Sequence, residues 1–202
     1  MGILDWISRF RQKVSTDDRI WIDKRAKFSG IRDEIALALA DAAGPDAVFV
    51  VAHFQDCLDE LRSLVAAAGF NDDRMLVVLS SALEGRTAGA ADEPSQGILI
   101  LVAERHPLAS HDDALLAFAR SLRCRCRLVQ HASLEDPLFR MFAGEWVERL
   151  LRQLGMKEDE ALESSLIAKR IHALQQKIER SARGRSPARS AQEWLEVNCP
   201  NL

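Results

Sequence analysis

The stretch ILILVAERHPLASHDDALL, residues 98–116, runs from unbroken apolar residues into Glu104, Arg105 and His106, and then into a serine followed by acids. The apolar run reads as a strand buried on both faces, and the helical spacing of Leu115, Phe118, Ala119 and Leu122 behind it reads as a helix. Ser110 and Asp113 are spaced as a capping pair for that helix. A strand that hands charged residues to a turn opening a helix is the repeating unit of an α/β protein, and its mouth is a common place for an active site.

Outward from this unit the period of the apolar residues keeps switching. AVFVVAHF (47–54), MLVVLSSAL (75–83) and the alternating CRCRLVQH (124–131) read as further strands. Phe28, Ile31, Ile35 and Leu39 mark a helix stopped by Ala43-Gly44-Pro45, and Leu58, Leu61, Val65 and Ala68 mark another closed by Gly69. Residues 3–14 place Ile3, Ile7, Phe10 and Val14 on one helical face, taken as docked on its own domain, with peripheral membrane contact or a partner left open to it. Residues 84–97 read as a loop, and Ser133 with Asp136 opens a helix running to Leu154 with Pro137 just inside it. A last long helix bears Ile167, Ile171, Leu174 and Ile178 at helical spacing. The division expected is an amphipathic helix over 1–20, an α/β domain with a parallel sheet over 21–154, a helix over 155–182, and a basic linker with a short helix or tail over 183–202.

Composition narrows the function. With 202 residues, 48% hydrophobic and 28% charged, the chain can bury one sizeable core. A net charge of −3 gives no overall electrostatic case for nucleic acid. No secretory signal and no membrane-length apolar run is legible, and Cys57, Cys124, Cys126 and Cys199 do not form a disulfide framework, so a cytoplasmic, reducing location is expected. Cys124-Arg125-Cys126 on an alternating strand offers two thiols where zinc needs four donors, so no metal is expected.

ERH at 104–106, SLEDPLFRMFAGE at 133–145 and LGMKEDEALESSLIAKRIHALQQKIE at 154–179 resemble, in order and spacing, the SecA family of preprotein translocase motors. KFSGIRDEI, VFVVAHFQDCLDELRSLVAAAGF and VVLSSALEGRT extend the resemblance more weakly upstream. It implies a reduced version of the family's second RecA-like motor domain leading into the start of its helical scaffold. The departures bear on chemistry. No G-x-x-x-x-G-K-[ST] phosphate loop occurs in the sequence, and the family's nucleotide-sensing motif is reduced to Gly85, Arg86 and Thr87. Where the family carries arginines that reach the γ-phosphate, this sequence has Ala114, Leu115, Leu116, Ala117 and Phe118. Arginines in that role contribute roughly 10³–10⁵ to turnover.

The expectation is therefore a SecA-like protein without ATPase activity or cofactor, not an enzyme, binding another protein as an adaptor or regulator connected with preprotein translocation or a SecA-type motor. The partner would be such a component or a second copy of the chain. Two alternatives are a nucleotide-responsive subunit completing an ATPase site in trans and a structural homo-oligomer of unrelated role. Glu104, Arg105 and His106, with Gly85, Arg86 and Thr87, are expected as structural remnants of motifs. Leu116, Phe118, Ile167, Ile171, Leu174 and Ile178 are the expected partner contacts, since large exposed apolar patches mark interaction sites; the alternative is that the N-terminal helix, with Trp6 and Phe10, and the tail, with Trp194 and Leu195, fold back and cover these surfaces.

Overall fold

The fold is that of a computed structural model, which describes residues 14–83, 97–122, 124–141, 157 and 160–200. In chain order the elements are β1 (Val14–Trp21), α1 (Lys24–Ala40), β2 (Ala47–Ala52), α2 (Gln55–Ala67), β3 (Met75–Leu79), a 3₁₀ turn over Ser80–Ala82, β4 (Ile98–Val102), α3 (Ala109–Ser121), β5 (Cys126–Ser133), α4 (Ser165–Ser181) and α5 (Ala191–Asn198). Residues 137–141 begin a further helix, and the rest of the helix expected to Leu154 lies outside the described residues, as do Gly85, Arg86, Thr87 and the expected helix up to residue 13. The five strands are all parallel in the order β1-β5-β4-β2-β3, the flanked parallel sheet expected of an α/β RecA-like fold.

Side-chain alternation divides this sheet between two layers. Val48, Val50 and Ala52 of β2, and Leu99 and Leu101 of β4, pack against Ile31 and Ile35 of α1 and Leu58 and Leu61 of α2. Val51, Ile100, Val102 and Leu128 point the other way, onto Leu115, Phe118 and Ala119 of α3. The near-continuous apolar runs of β2 and β4 follow from burial on both faces. Helix α2 ends in a Schellman motif, with Gly69 at φ 69° and Phe70 N–H donating to Val65 O at 3.2 Å.

One expectation is corrected here. The boundary at residue 20 cuts through β1: Val14, expected on a helical face, opens an edge strand that pairs with β5 from Val14↔Cys126 to Trp21↔Ser133. Its polar sequence VSTDDRIW hid it, because Asp17, Asp18 and Arg19 are matched by Arg127, Arg105 and Glu34 rather than by apolar neighbours. The segment read as a short helix or tail within 183–202 is α5, whose Trp194 and Leu195 are buried with Ile171 and Ile178 of α4, Phe54, Leu108 and Ile20 in one cluster. Helices α4 and α5 thus share a core with the sheet. An antiparallel bridge between Ile20 and Leu162 fixes the approach to α4 (Ile20 N to Leu162 O 3.0 Å, Leu162 N to Ile20 O 2.8 Å).

The turn from β1 into α1 is closely packed. Trp21 Nε1 donates to His131 Nδ1 at 3.1 Å, and a Cβ at Gly30 would fall 2.1 Å from Trp21 Cζ2. At the same end the buried Lys27 ammonium meets Asp136 at 2.8 Å. Burial alone would lower its pKa, but Asp136, helped by Cys57 and Glu104, holds it raised. Gly30→Ala is expected to destabilise the protein by about 1–3 kcal/mol, the range for forced overpacking, read as a lower urea midpoint at unchanged slope.

Candidate functional site

The loops after β2 and β4 leave the sheet toward opposite layers, β2 into α2 and β4 into α3. The crevice between their carboxyl ends is therefore the topological switch point, where open α/β sheets seat their ligands. It holds Glu104, Arg105 and His106. Glu104 Oε1 accepts the backbone N–H groups of His53 (3.0 Å) and Phe54 (2.9 Å), stitching one loop to the other. Burial raises the pKa of this carboxyl, partly offset by His53 and Lys27.

The centre of the crevice is Asp112, in the first turn of α3, with a side chain 7% exposed. Its Oδ2 accepts from Arg105 Nη1 at 2.9 Å and from Gln175 Nε2 of α4 at 2.8 Å, while Oδ1 accepts from His106 N–H at 3.3 Å. His53 Nε2 lies 3.1 Å from Oδ1, close enough for attraction but out of hydrogen-bond alignment. Burial would raise the carboxyl's pKa; His53, Arg105 and Gln175 outweigh it and bring it to about 2. Arg105 also pairs with Asp18 of β1, and Gln175 Nε2 donates to His106 O at 2.7 Å.

Above this hub lie the imidazoles. His106 Nδ1 accepts Leu108 N–H at 3.0 Å, and the ring stacks on His111 (3.8 Å) and Phe54 (5.0 Å) with Trp194 at its edge (5.6 Å). Burial first, then His111 and His53, lower its pKa to about 2, so the ring is neutral. Ser80 Oγ sits 3.0 Å from His53 Nδ1, so Ser80, His53 and Asp112 run in the order nucleophile, base, acid. The His53 side chain is 0% exposed, however, and a general base must reach both nucleophile and leaving group. The line is a buried relay holding β2, β3 and α3 together.

The other expected site residues lie elsewhere. Phe118 is buried in the α3 layer, facing Phe49 at 6.5 Å, so it offers no partner surface, and Leu116 beside it is half-buried. Ile171 and Ile178 are 0% exposed beneath α5, with Ile167 and Leu174 half-buried beside them. As partner contacts Phe118, Ile171 and Ile178 are corrected by their burial, the tail supplying the cover over α4. The Ser110–Asp113 capping pair is also corrected, because α3 has no side-chain cap and Ser110 Oγ donates instead to Glu179 of α4 at 2.5 Å. Cys124 and Cys126 are both buried, and burial, followed by Cys124, pushes the Cys126 thiol up to about 12.

Sequence reasoning missed His53, Asp112 and Gln175. A signal existed for two of them: Asp112 shares its helical face with Leu115 and Ala119, and Gln175 lies between Ile171 and Ile178 on the buried face of α4.

A segment of 47 residues is 55% identical to protein translocase subunit SecA 1 of Rhodopirellula baltica, covering 23% of this chain and 4% of that protein. A segment of 83 residues is 36% identical to protein translocase subunit SecA of Xanthomonas campestris pv. campestris and of Xanthomonas oryzae pv. oryzae, covering 41% of this chain. The chain carries a SecA-like region. The SecA-like region is partial, since its matches span only 4% and 9% of those relatives' lengths. No protein-family model matches the chain. Among the described residues no helix is long and apolar enough to cross a membrane.

Two outcomes follow from the hub. Asp112→Asn removes the charge facing Arg105 in a buried site and should cost about 3–5 kcal/mol in urea denaturation. For His106 the unfolded imidazole binds a proton below its ordinary value of 6.5, while the folded one stays neutral down to about 2. Stability therefore falls as pH drops from about 6.5 toward 4, by at most about 1.4 kcal/mol per pH unit for this ring. Asp112 acts lower, losing its contribution only between its ordinary value of 3.8 and about 2. Melting temperatures across this range should show a shallower decline for His106→Gln than for wild type.

Proposed function

We propose that this SecA-like chain is a protein-binding module without ATPase activity, serving as an adaptor or regulator connected with preprotein translocation or a SecA-type motor. One observation carries the reading. The crevice where an α/β sheet of this kind would seat a nucleotide is filled by the chain's own side chains, with Asp112 bonded to Arg105 and Gln175, and Trp194 over His106. A phosphate entering there would meet a buried carboxylate. Arg105, the cation that bonds Asp112 in the crevice, is already held by Asp18 and Asp112, so it is not poised to complete a site in trans. The apolar Leu116 and Phe118, at the positions of the family's phosphate-reaching arginines, support the same reading from within the α3 layer. The link to translocation rests on the names of the relatives, which are translocase subunits.

Titration calorimetry with Mg-ATP, paired with a phosphate-release assay, tests the proposal. The expected result is no saturable heat at millimolar nucleotide and no turnover above buffer. A saturable heat accompanied by a raised melting temperature would overturn the reading, because a ligand that binds the native state must stabilise it.

A further inference from the structure

Helix α4 has two faces, and the sequence drew attention to the one that the fold covers. With Ile171, Gln175 and Ile178 turned inward, the opposite face carries Leu166, Lys169, Arg170, Ala173, Lys177 and Arg180, all exposed and spaced by three or four residues or adjacent, as one side of a helix requires. Lys169 to Arg180 spans about 16 Å along the axis. No carboxylate interrupts the row: Glu163 precedes the helix, and Glu179 is turned toward Ser110 and Arg185. Among the described residues Lys169, Arg170 and Lys177 have no hydrogen-bond or ion-pair partner from another side chain, and Arg180 reaches only the Gln176 carbonyl of its own helix.

Intramolecular needs do not account for this row. Lys177 and Arg180 lie near the carboxyl end of the helix, where its dipole favours cations. Lys169 and Arg170 lie in the second turn and gain nothing from it, and four cations on one face repel one another in a chain whose net charge is −3.

We propose that the exposed face of α4 is a docking surface for an acidic protein segment whose carboxylates match this row. The proposal refines the protein-binding reading above by naming a surface and the chemistry of its partner. Three observations favour a protein segment over other polyanions. The apolar side of α4 is committed to the core, leaving only Leu166 to enter a bilayer, so the face lacks the apolar half of a membrane-surface helix. A nucleic acid or bilayer extends beyond the row and would lie across Glu160 and Glu163, both exposed just before the helix. With screening over about 8 Å at physiological salt, attraction is confined to a partner that fits the row itself.

The test is fluorescence anisotropy with a labelled helical peptide of about 16 residues bearing glutamate at every third or fourth position, the spacing of one helix face. The comparison probes are a single-stranded oligonucleotide of about 20 nucleotides and vesicles of phosphatidylglycerol and phosphatidylcholine. Wild type should bind the peptide at about 50 mM salt and release it at about 500 mM. Lys169→Gln/Arg170→Gln/Lys177→Gln/Arg180→Gln should weaken binding by about tenfold or more. Arg32→Gln/Arg62→Gln, which removes two exposed arginines from α1 and α2, should leave it unchanged. Circular dichroism confirms that each variant is folded. The proposal is overturned if the peptide does not bind, if the quadruple variant binds it as wild type does, or if oligonucleotide or vesicles bind more tightly. A host protein captured equally by wild type and quadruple variant would sink this surface while leaving the protein-binding reading standing.

Discussion

A carboxylate taken out of water costs several kcal/mol unless donors replace the water, and at Asp112 those donors come from two other parts of the chain. Arg105 and His106 reach it from the loop after β4, Gln175 reaches it from α4, and Asp112 itself opens α3. Arg105 carries the linkage on to Asp18 in the edge strand β1, and His53 carries it toward Ser80 after β3. One side chain thus joins the sheet, one helical layer and the helix laid across the sheet's end. Because these donors are buried or nearly so, losing one leaves Asp112 short of a partner in a dry site, which makes the network cooperative.

This network changes what the end of the sheet can do. In an open α/β sheet, loops diverging to opposite layers leave a cleft for a ligand. Here the cleft closes on itself: Gln175 enters from α4, Trp194 lies at the edge of His106, and Phe54 and Leu108 complete the apolar cover. The tail is held over the crevice by its own polar contacts. Arg189 pairs with Asp56 at the start of α2, and Asn198 donates to Ser186 O and Trp194 O. The apolar side of α4 is spent on this closure, and what it shows to solvent is charge.

How much of this was legible depended on which force placed each element. Strands β2 and β4 and helices α1 to α3 stood out in sequence because two-sided burial demands apolar runs and helical periods. Strand β1 did not, because its stability comes from backbone pairing along β5 and from ion pairs that match Asp17, Asp18 and Arg19 one by one. The ERH triplet was legible as a turn, and Glu104 and Arg105 do hold that turn, but the sequence spacing singled out Asp113 where the buried acid is Asp112. The stripe Ile167, Ile171, Leu174 and Ile178 was legible as apolar, but its spacing left open whether a partner or the tail covers it, and the return of Trp194 and Leu195 decides for the tail at Ile171 and Ile178. Long-range closure of this kind is set by the tertiary fold, beyond the reach of periodicity.

Hydrogen exchange resolved by segment, on wild type and Gln175→Ala, tests the claim that Asp112 and its partners lock α4 over the crevice. Removing the amide takes away both donors that tie α4 to Asp112 and to the His106 carbonyl. The account predicts that amides of α4 and α5 lose protection in the variant while those of β2 and β4 exchange as slowly as before, a local opening distinct from global unfolding. Unchanged protection of α4 would contradict it.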